Sequence, residues 1–95
     1  MVVRMAMTAV WIKVEEGCIV QALQDASEKL DSAVGEVVLD FSSVDRIDVR
    51  AVRRMEEFAG LAEDKAVDVV LRGVSIGMYK VLKQVKLASR FVFPS

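Results

Sequence analysis

The feature that most constrains the fold is the alternation of short apolar runs with segments of helical periodicity. Residues 36–41 ("EVVLDF") and 67–74 ("VDVVLRGV") are rich in β-branched residues and too short for typical helices, which favours strands buried on both faces. One strand or a bent pair is predicted at residues 5–14, and a last short strand at 91–93. Strands separated by helical segments in this order indicate an α/β fold with a mostly parallel sheet.

Three segments have the apolar spacing of amphipathic helices. The first covers residues 20–33, the second begins near Asp48, and the third follows Ser75, which can cap it. On the second helix, Arg53 and Glu57 have the i,i+4 spacing of an exposed ion pair. The prediction is a single α/β domain over residues 1–95, with a short mixed or mostly parallel sheet of about four to five strands and about three helices packed against it.

Composition excludes several classes of function. The chain has no histidine, so an imidazole general base, a Ser-His-Asp relay and an ordinary zinc site are excluded. Its 13 basic and 14 acidic residues give a net charge of −1, without the basic excess of a nucleic-acid-binding protein. No apolar run is long enough for a membrane span, and no signal peptide is evident. We therefore expect a cytoplasmic protein that is not an enzyme, without a metal or cofactor.

The turn between the second predicted strand and the second helix is unusually polar. It contains Ser42, Ser43, Asp45 and Asp48. Capping of the helix by Asp48, with the serines in a turn, is the simplest explanation. Anion binding at the helix start is a second explanation, but no Gly-rich phosphate-binding motif is present. A catalytic pair of Asp45 and Asp48 is the least favoured, because aspartates spaced in this way are common at helix starts.

Taken together, "DFS" at residues 40–42 and "IDV" at residues 47–49 resemble the core of the STAS domain. This family includes anti-sigma-factor antagonists and the cytoplasmic tails of sulfate transporters. Residues 68–93 are similar to the family's last strand, last helix and tail. The resemblance implies a STAS-like domain that acts as a regulatory protein-binding module.

The sequence departs from the family pattern at the start of the second helix. In anti-sigma-factor antagonists a kinase phosphorylates a Ser or Thr at the position of Val49, which has no hydroxyl. Arg50 and Ala51 follow where the family has a small polar residue and a glycine. The resemblance therefore implies a constitutive docking surface with no phospho-acceptor at the family position. The predicted partner-binding residues are Ser42, Ser43, Asp45, Asp48, Val49, Arg50 and Arg53.

The partner implied by the resemblance is a protein. A serine-kinase-type anti-sigma factor is the first hypothesis, and Ser42 and Ser43 remain alternative phospho-acceptors. The other hypothesis is a structural subunit that binds the ATPase of a bacterial ABC-type phospholipid transport system. A homodimer formed through a strand near the N-terminus is also left open.

Three further residues carry smaller predictions. Cys18 is the one cysteine and cannot form an internal disulfide, so it is expected to be a small packing residue. Trp11 and Tyr79 are expected to cover the core or the sheet. Either aromatic side chain would become an interface anchor if it were exposed.

Overall fold

The structure is a computed structural model that describes residues 10–30 and 35–93. The elements follow one another in the order β1 (Val10–Glu15), α1 (Ile19–Lys29), β2 (Glu36–Ser43), α2 (Val49–Asp64), β3 (Asp68–Arg72) and α3 (Ile76–Gln84), and a 3-10 turn (Ala88–Arg90) comes last. This alternation confirms the predicted α/β class and the three helices.

The sheet has the order β1-β2-β3, and both strand pairs are parallel. Within the described residues it has three strands, fewer than the four or five predicted. Residues 5–9 of the first predicted strand lie outside the described part. The last predicted strand, residues 91–93, forms only a single parallel bridge between Val92 and Val70. The chain reaches β3 directly from the 3-10 turn and pairs with it at that one position.

One face of the sheet holds the hydrophobic core. Because successive strand residues point to opposite faces, Val37, Leu39 and Phe41 of β2 face the same way, and all three are fully buried against side chains of α1, α2 and α3. Val38 points to the other face and is also buried. Glu36 and Ser42 on that face are exposed and Asp40 is half-buried, so the predicted burial of β2 on both faces holds there only at Val38.

The ends of the helices follow local chemistry. Ser75 caps α3, since its Oγ accepts a hydrogen bond from the Met78 amide at 3.1 Å. After α2, Ala66 adopts a left-handed conformation (φ 56°) that turns the chain into β3. For α1, residues 31–33 of the predicted helix lie outside the described part. None of the helices in that part is long and apolar enough to cross a membrane.

A bidentate ion pair joins the 3-10 turn to α2. Arg90 donates from Nε and from a terminal guanidinium nitrogen to the two carboxylate oxygens of Glu63, each at 2.9 Å. The hydrogen bonds from Arg90 lower the pKa of Glu63. The contact secures the chain where it returns to the sheet.

Candidate functional site

All three helices begin at the same edge of the sheet. In a parallel sheet the carboxyl ends of the strands lie together, so the segments after β1, β2 and β3 meet there. These segments lead into α1 at Ile19, α2 at Val49 and α3 at Ile76. The polar turn singled out from the sequence is the central one of the three.

The loop between β2 and α2, residues 44–48, is held in place from both sides. Its Val44 side chain is buried in the core. The Asp45 amide donates to the Glu16 carboxylate at 3.0 Å, and the Asp45 carbonyl accepts from the Ser75 hydroxyl at 3.0 Å. Glu16 follows β1 and Ser75 follows β3, so the three segments at this edge are tied together through the backbone of Asp45.

The start of α2 confirms that Asp48 is a cap. Asp48 has an extended backbone, and its Oδ1 accepts a hydrogen bond from the Ala51 amide at 2.9 Å. Val49 is the first helical residue, and 72% of its surface is exposed. Arg50 and Arg53 are also exposed. The carboxylate of Asp48 is therefore engaged within the protein, whereas the residues that follow it on the helix face solvent.

Ser42 and Ser43 belong to β2, which extends beyond the predicted end at Phe41. The Ser42 amide donates to the Asp40 Oδ1 at 2.9 Å, and the Val44 amide donates to the Phe41 carbonyl at 2.9 Å. The two serines thus sit in a local turn, as the sequence predicted, although both are strand residues.

The backbone of Ser42 also lies against the segment after β3. A carbon atom added to Gly73 would lie 2.7 Å from Cβ and 2.8 Å from Cα of Ser42, and Gly73 has a φ of +68°. Only glycine satisfies both the conformation and the spacing. This close approach brings Ser75 to the loop that it holds.

The surroundings of Asp40, near the end of β2, favour the ionised form of its carboxyl group. The amide of Ser42 has the largest effect and lowers the pKa of the Asp40 carboxyl, and the Ser42 hydroxyl adds to it. Burial opposes these hydrogen bonds, and the weaker charge effects of Lys13 and Arg72, on the neighbouring strands, again lower the pKa. Asp40 is thus kept ionised and is bound to the turn that it supports.

An open groove of about 970 Å³ separates the start of α1 from the start of α2. Its positively charged residues are Arg46, Arg50, Arg53 and Arg54. Opposite them lie the first residues of α1 and Cys18. Among the predicted site residues, Asp48, Arg50 and Arg53 line the groove; Ser42, Ser43, Asp45 and Val49 lie outside it.

Two sequence predictions about this groove are wrong. Glu57 pairs with Arg54 at 3.2 Å, so the expected ion pair between Arg53 and Glu57 does not form. Arg54 is oriented for this contact by Gln24 on α1, which accepts from its other terminal nitrogen at 3.2 Å. Cys18 is exposed at the lip of the groove, not packed in the core, because it immediately precedes the first turn of α1.

Arg46 and Arg54 line the groove but are not among the predicted site residues. Arg46, Arg50 and Arg54 follow one another every four residues, and this spacing was a usable signal. This spacing alone does not reveal a groove, because the opposite wall, at the start of α1, is more than twenty residues away in the chain. Only the packing of α1 beside α2 creates the groove.

Exposed aliphatic side chains accompany the arginines. Val20, Val49 and Ile76 lie in the first turns of α1, α2 and α3, and Ile76 is 77% exposed. We call these first turns, together with residues 44–48, the carboxyl-edge surface. It combines apolar side chains with cations, a composition typical of protein interfaces.

The two aromatic residues singled out from the sequence lie elsewhere and are exposed. Trp11 points to the sheet face opposite the helices, is 58% exposed, and has the Arg72 guanidinium 5.4 Å from its ring centroid. Tyr79 is 41% exposed and packs edge-to-face with Phe93 at 5.2 Å. Neither residue covers the core.

Within residues 10–30 and 35–93, no cluster of three or more potential ligand side chains could hold a metal ion. In a comparison with protein-family models, residues 7–95 match the STAS domain. A comparison with curated proteins found no significant match.

Proposed function

The chain belongs to the STAS domain family, and from that premise we propose that it is a non-enzymatic, regulatory protein-binding module resembling an anti-sigma-factor antagonist. Its partner is a serine-kinase-type anti-sigma factor in the cytoplasm. Binding takes place through the carboxyl-edge surface.

The exposure of Val49 and Ile76 is the observation that carries this proposal. Each is about three-quarters exposed and begins a helix, so neither contributes much to the core. Aliphatic side chains grouped at one edge of a domain gain free energy when a partner removes them from water, by roughly 25 cal/mol per Å² of buried apolar area. Arginine beside them is typical of the residues that anchor protein interfaces.

Binding through this surface is constitutive. Phosphorylation would add a charge of about −1.5 to −2 at the start of α2. Val49 has no hydroxyl to accept a phosphoryl group, and Arg50 beside it carries a permanent positive charge. Ser42 is a poor alternative acceptor, because its hydroxyl bonds to Asp40 and its backbone contacts Gly73.

A binding role, not catalysis, also agrees with the chemistry of the loop. The chain has no histidine to serve as a general base. Asp48, one member of the candidate carboxylate pair, is engaged in capping α2. Glu16 and Ser75 likewise hold the loop, which supports the proposal of a non-enzymatic role.

An affinity experiment tests the proposal. The wild-type protein and the double variant Val49→Gln/Ile76→Gln are used to recover partners from the native cytoplasm, and recovered proteins are identified by mass spectrometry. Leu61→Gln is the matched control, since Leu61 is also exposed but lies near the far end of α2. The dissociation constant of the purified partner is then measured by calorimetry.

We expect a serine-kinase-type anti-sigma factor that binds the double variant about tenfold or more weakly and the control with unchanged affinity. Recovery of a transport ATPase would replace the proposed partner by that of a phospholipid transport assembly. A partner that binds the double variant as tightly as the wild type would show that another face of the domain is used.

A further inference from the structure

Three of the four arginines that line the groove between α1 and α2 are free to bind a ligand. Arg46, Arg50 and Arg53 are exposed, and none of them forms a hydrogen bond or ion pair with the described residues. Arg54 differs, because it is already engaged with Glu57 and Gln24. The chain as a whole has a net charge of −1, so this positive charge is a local property of the groove.

The carboxylates of the same groove do not compete for these arginines. Glu16 accepts from the Asp45 amide, and Asp48 accepts from the Ala51 amide. Glu57, the third carboxylate, pairs with Arg54. An incoming anion would therefore not have to displace an internal ion pair from Arg46, Arg50 or Arg53.

The opposite wall of the groove presents free backbone amides beside the Glu16 carboxylate. Cys18 precedes α1 without a side-chain hydrogen bond to the helix, and the first turn of α1 contains no acidic residue. In the described residues, the amides of Ile19, Val20 and Gln21 have no hydrogen-bond acceptor. Such free amides favour negative charge at a helix start. Arginines on one wall and free amides on the other thus favour an anionic occupant.

We propose that this groove binds an acidic peptide segment of the partner protein. The inference rests on the proposed protein-binding function and specifies the chemistry of the partner. Guanidinium groups form bidentate hydrogen bonds with carboxylates, and Arg50 and Arg53 lie one turn apart on α2. Successive acidic side chains of one peptide can meet Arg50, Arg53 and the loop residue Arg46.

The size and lining of the groove favour a peptide over a small anion. Its volume of about 970 Å³ greatly exceeds that of a single phosphate or carboxylate group. Val20 and Ile47 add apolar side chains to its lining. A segment with alternating acidic and aliphatic side chains would therefore contact both the arginines and the apolar wall.

A defined peptide tests this inference. A fluorescein-labelled peptide of alternating Glu and Leu is titrated with the intact protein, and binding is followed by fluorescence anisotropy. The groove variant is Arg50→Glu/Arg53→Glu, in which acidic residues in the first turns of α2 suit the helix dipole. The control is Lys80→Glu/Lys83→Glu, which makes the same change of charge on exposed positions of α3. Far-UV circular dichroism verifies that each variant is folded.

We expect saturable binding that weakens with added salt and is reduced about tenfold or more in the groove variant. The control should stay within about twofold of the wild type. Equal loss in both variants would attribute binding to overall charge and overturn the inference. Complete displacement of the peptide by inorganic phosphate at similar concentration would also overturn it, since the groove would then be a small-anion site.

The two proposals fail in different ways. If Val49→Gln/Ile76→Gln weakens binding of the native partner but the acidic peptide does not bind, the protein-binding function stands and the inference about the groove is wrong. If the peptide binds in the groove but the native partner is indifferent to Val49→Gln/Ile76→Gln, the proposed docking surface is wrong. The peptide site would then be independent of it.

Discussion

Replacement of Gly73 by alanine should destabilise the protein strongly, because two separate requirements for glycine coincide there. The backbone of Gly73 has a φ of +68°, which costs an alanine about 1 kcal/mol. In addition, the new methyl carbon would lie 2.7–2.8 Å from Cβ, Cα and the backbone nitrogen of Ser42. Backbone atoms cannot rotate away, so relief of this contact costs about 1–3 kcal/mol more.

The expected loss for Gly73→Ala is therefore about 2–4 kcal/mol of the free energy of unfolding. A domain of this length has a total of roughly 5–14 kcal/mol, so the variant remains folded but weakened. Urea denaturation followed by far-UV circular dichroism measures the change, and the midpoint should fall by about 1–2 M. The contact of Ser75 with the loop at residues 44–48 should loosen with it.

Gly17→Ala is the matched control. Gly17 has a φ of +90°, but nothing lies within 4 Å of the position of an added carbon. This φ lies further from the left-handed minimum than that of Gly73. The backbone strain of an alanine should therefore be at least as large in the control as in Gly73→Ala. A Gly73→Ala variant no less stable than Gly17→Ala would refute the reasoning that the contact with Ser42 requires glycine.

Two further predictions concern stability and its dependence on pH. Ala66→Gly should raise the free energy of unfolding by about 0.5–1 kcal/mol, because Ala66 has a left-handed φ of 56°; a decrease in urea midpoint would contradict this. Asp40 has a lowered pKa in the folded state, so its contribution is present at neutral pH and is lost as the pH falls through that pKa. The stability difference between wild type and Asp40→Asn should therefore narrow on acidification below about pH 4, and a constant difference in urea titrations would rule out this linkage.

Much of the candidate site could be predicted from local chemistry. Asp48 and Ser75 can be predicted as caps because both precede an apolar periodic segment, and a side-chain oxygen at that position satisfies a free helix amide. The exposure of Val49 and Arg50 follows from their place in the first turn of a helix whose apolar stripe begins at Ala51. Residues close in the chain were sufficient for these predictions.

The contacts that join distant segments could not be predicted. Arg54 has Glu57 on α2 and Gln24 on α1 as partners. The packing of α1 on α2 therefore decides that the ion pair with Glu57 is formed by Arg54 and not by Arg53. The exposure of Trp11 could not be predicted from its strand alone either, because it depends on which face of the sheet the helices cover. Trp11 shares its face of β1 with the exposed residues Lys13 and Glu15, and the three helices cover only the other face of the sheet.

The sequence by itself determined the α/β class, the order of the strands and helices, and the caps at the helix starts. All of these depend on interactions within one element or one turn. The tertiary structure decided which segments meet at the carboxyl edge, which arginines have no partner among the described residues, and where an apolar surface is exposed. Those features depend on contacts between Asp45, Glu16 and Ser75 and between α1 and α2. The spacing of residues along the sequence does not reveal these contacts, because they join segments that are far apart in the chain. They form when the parallel strands bring their carboxyl ends together.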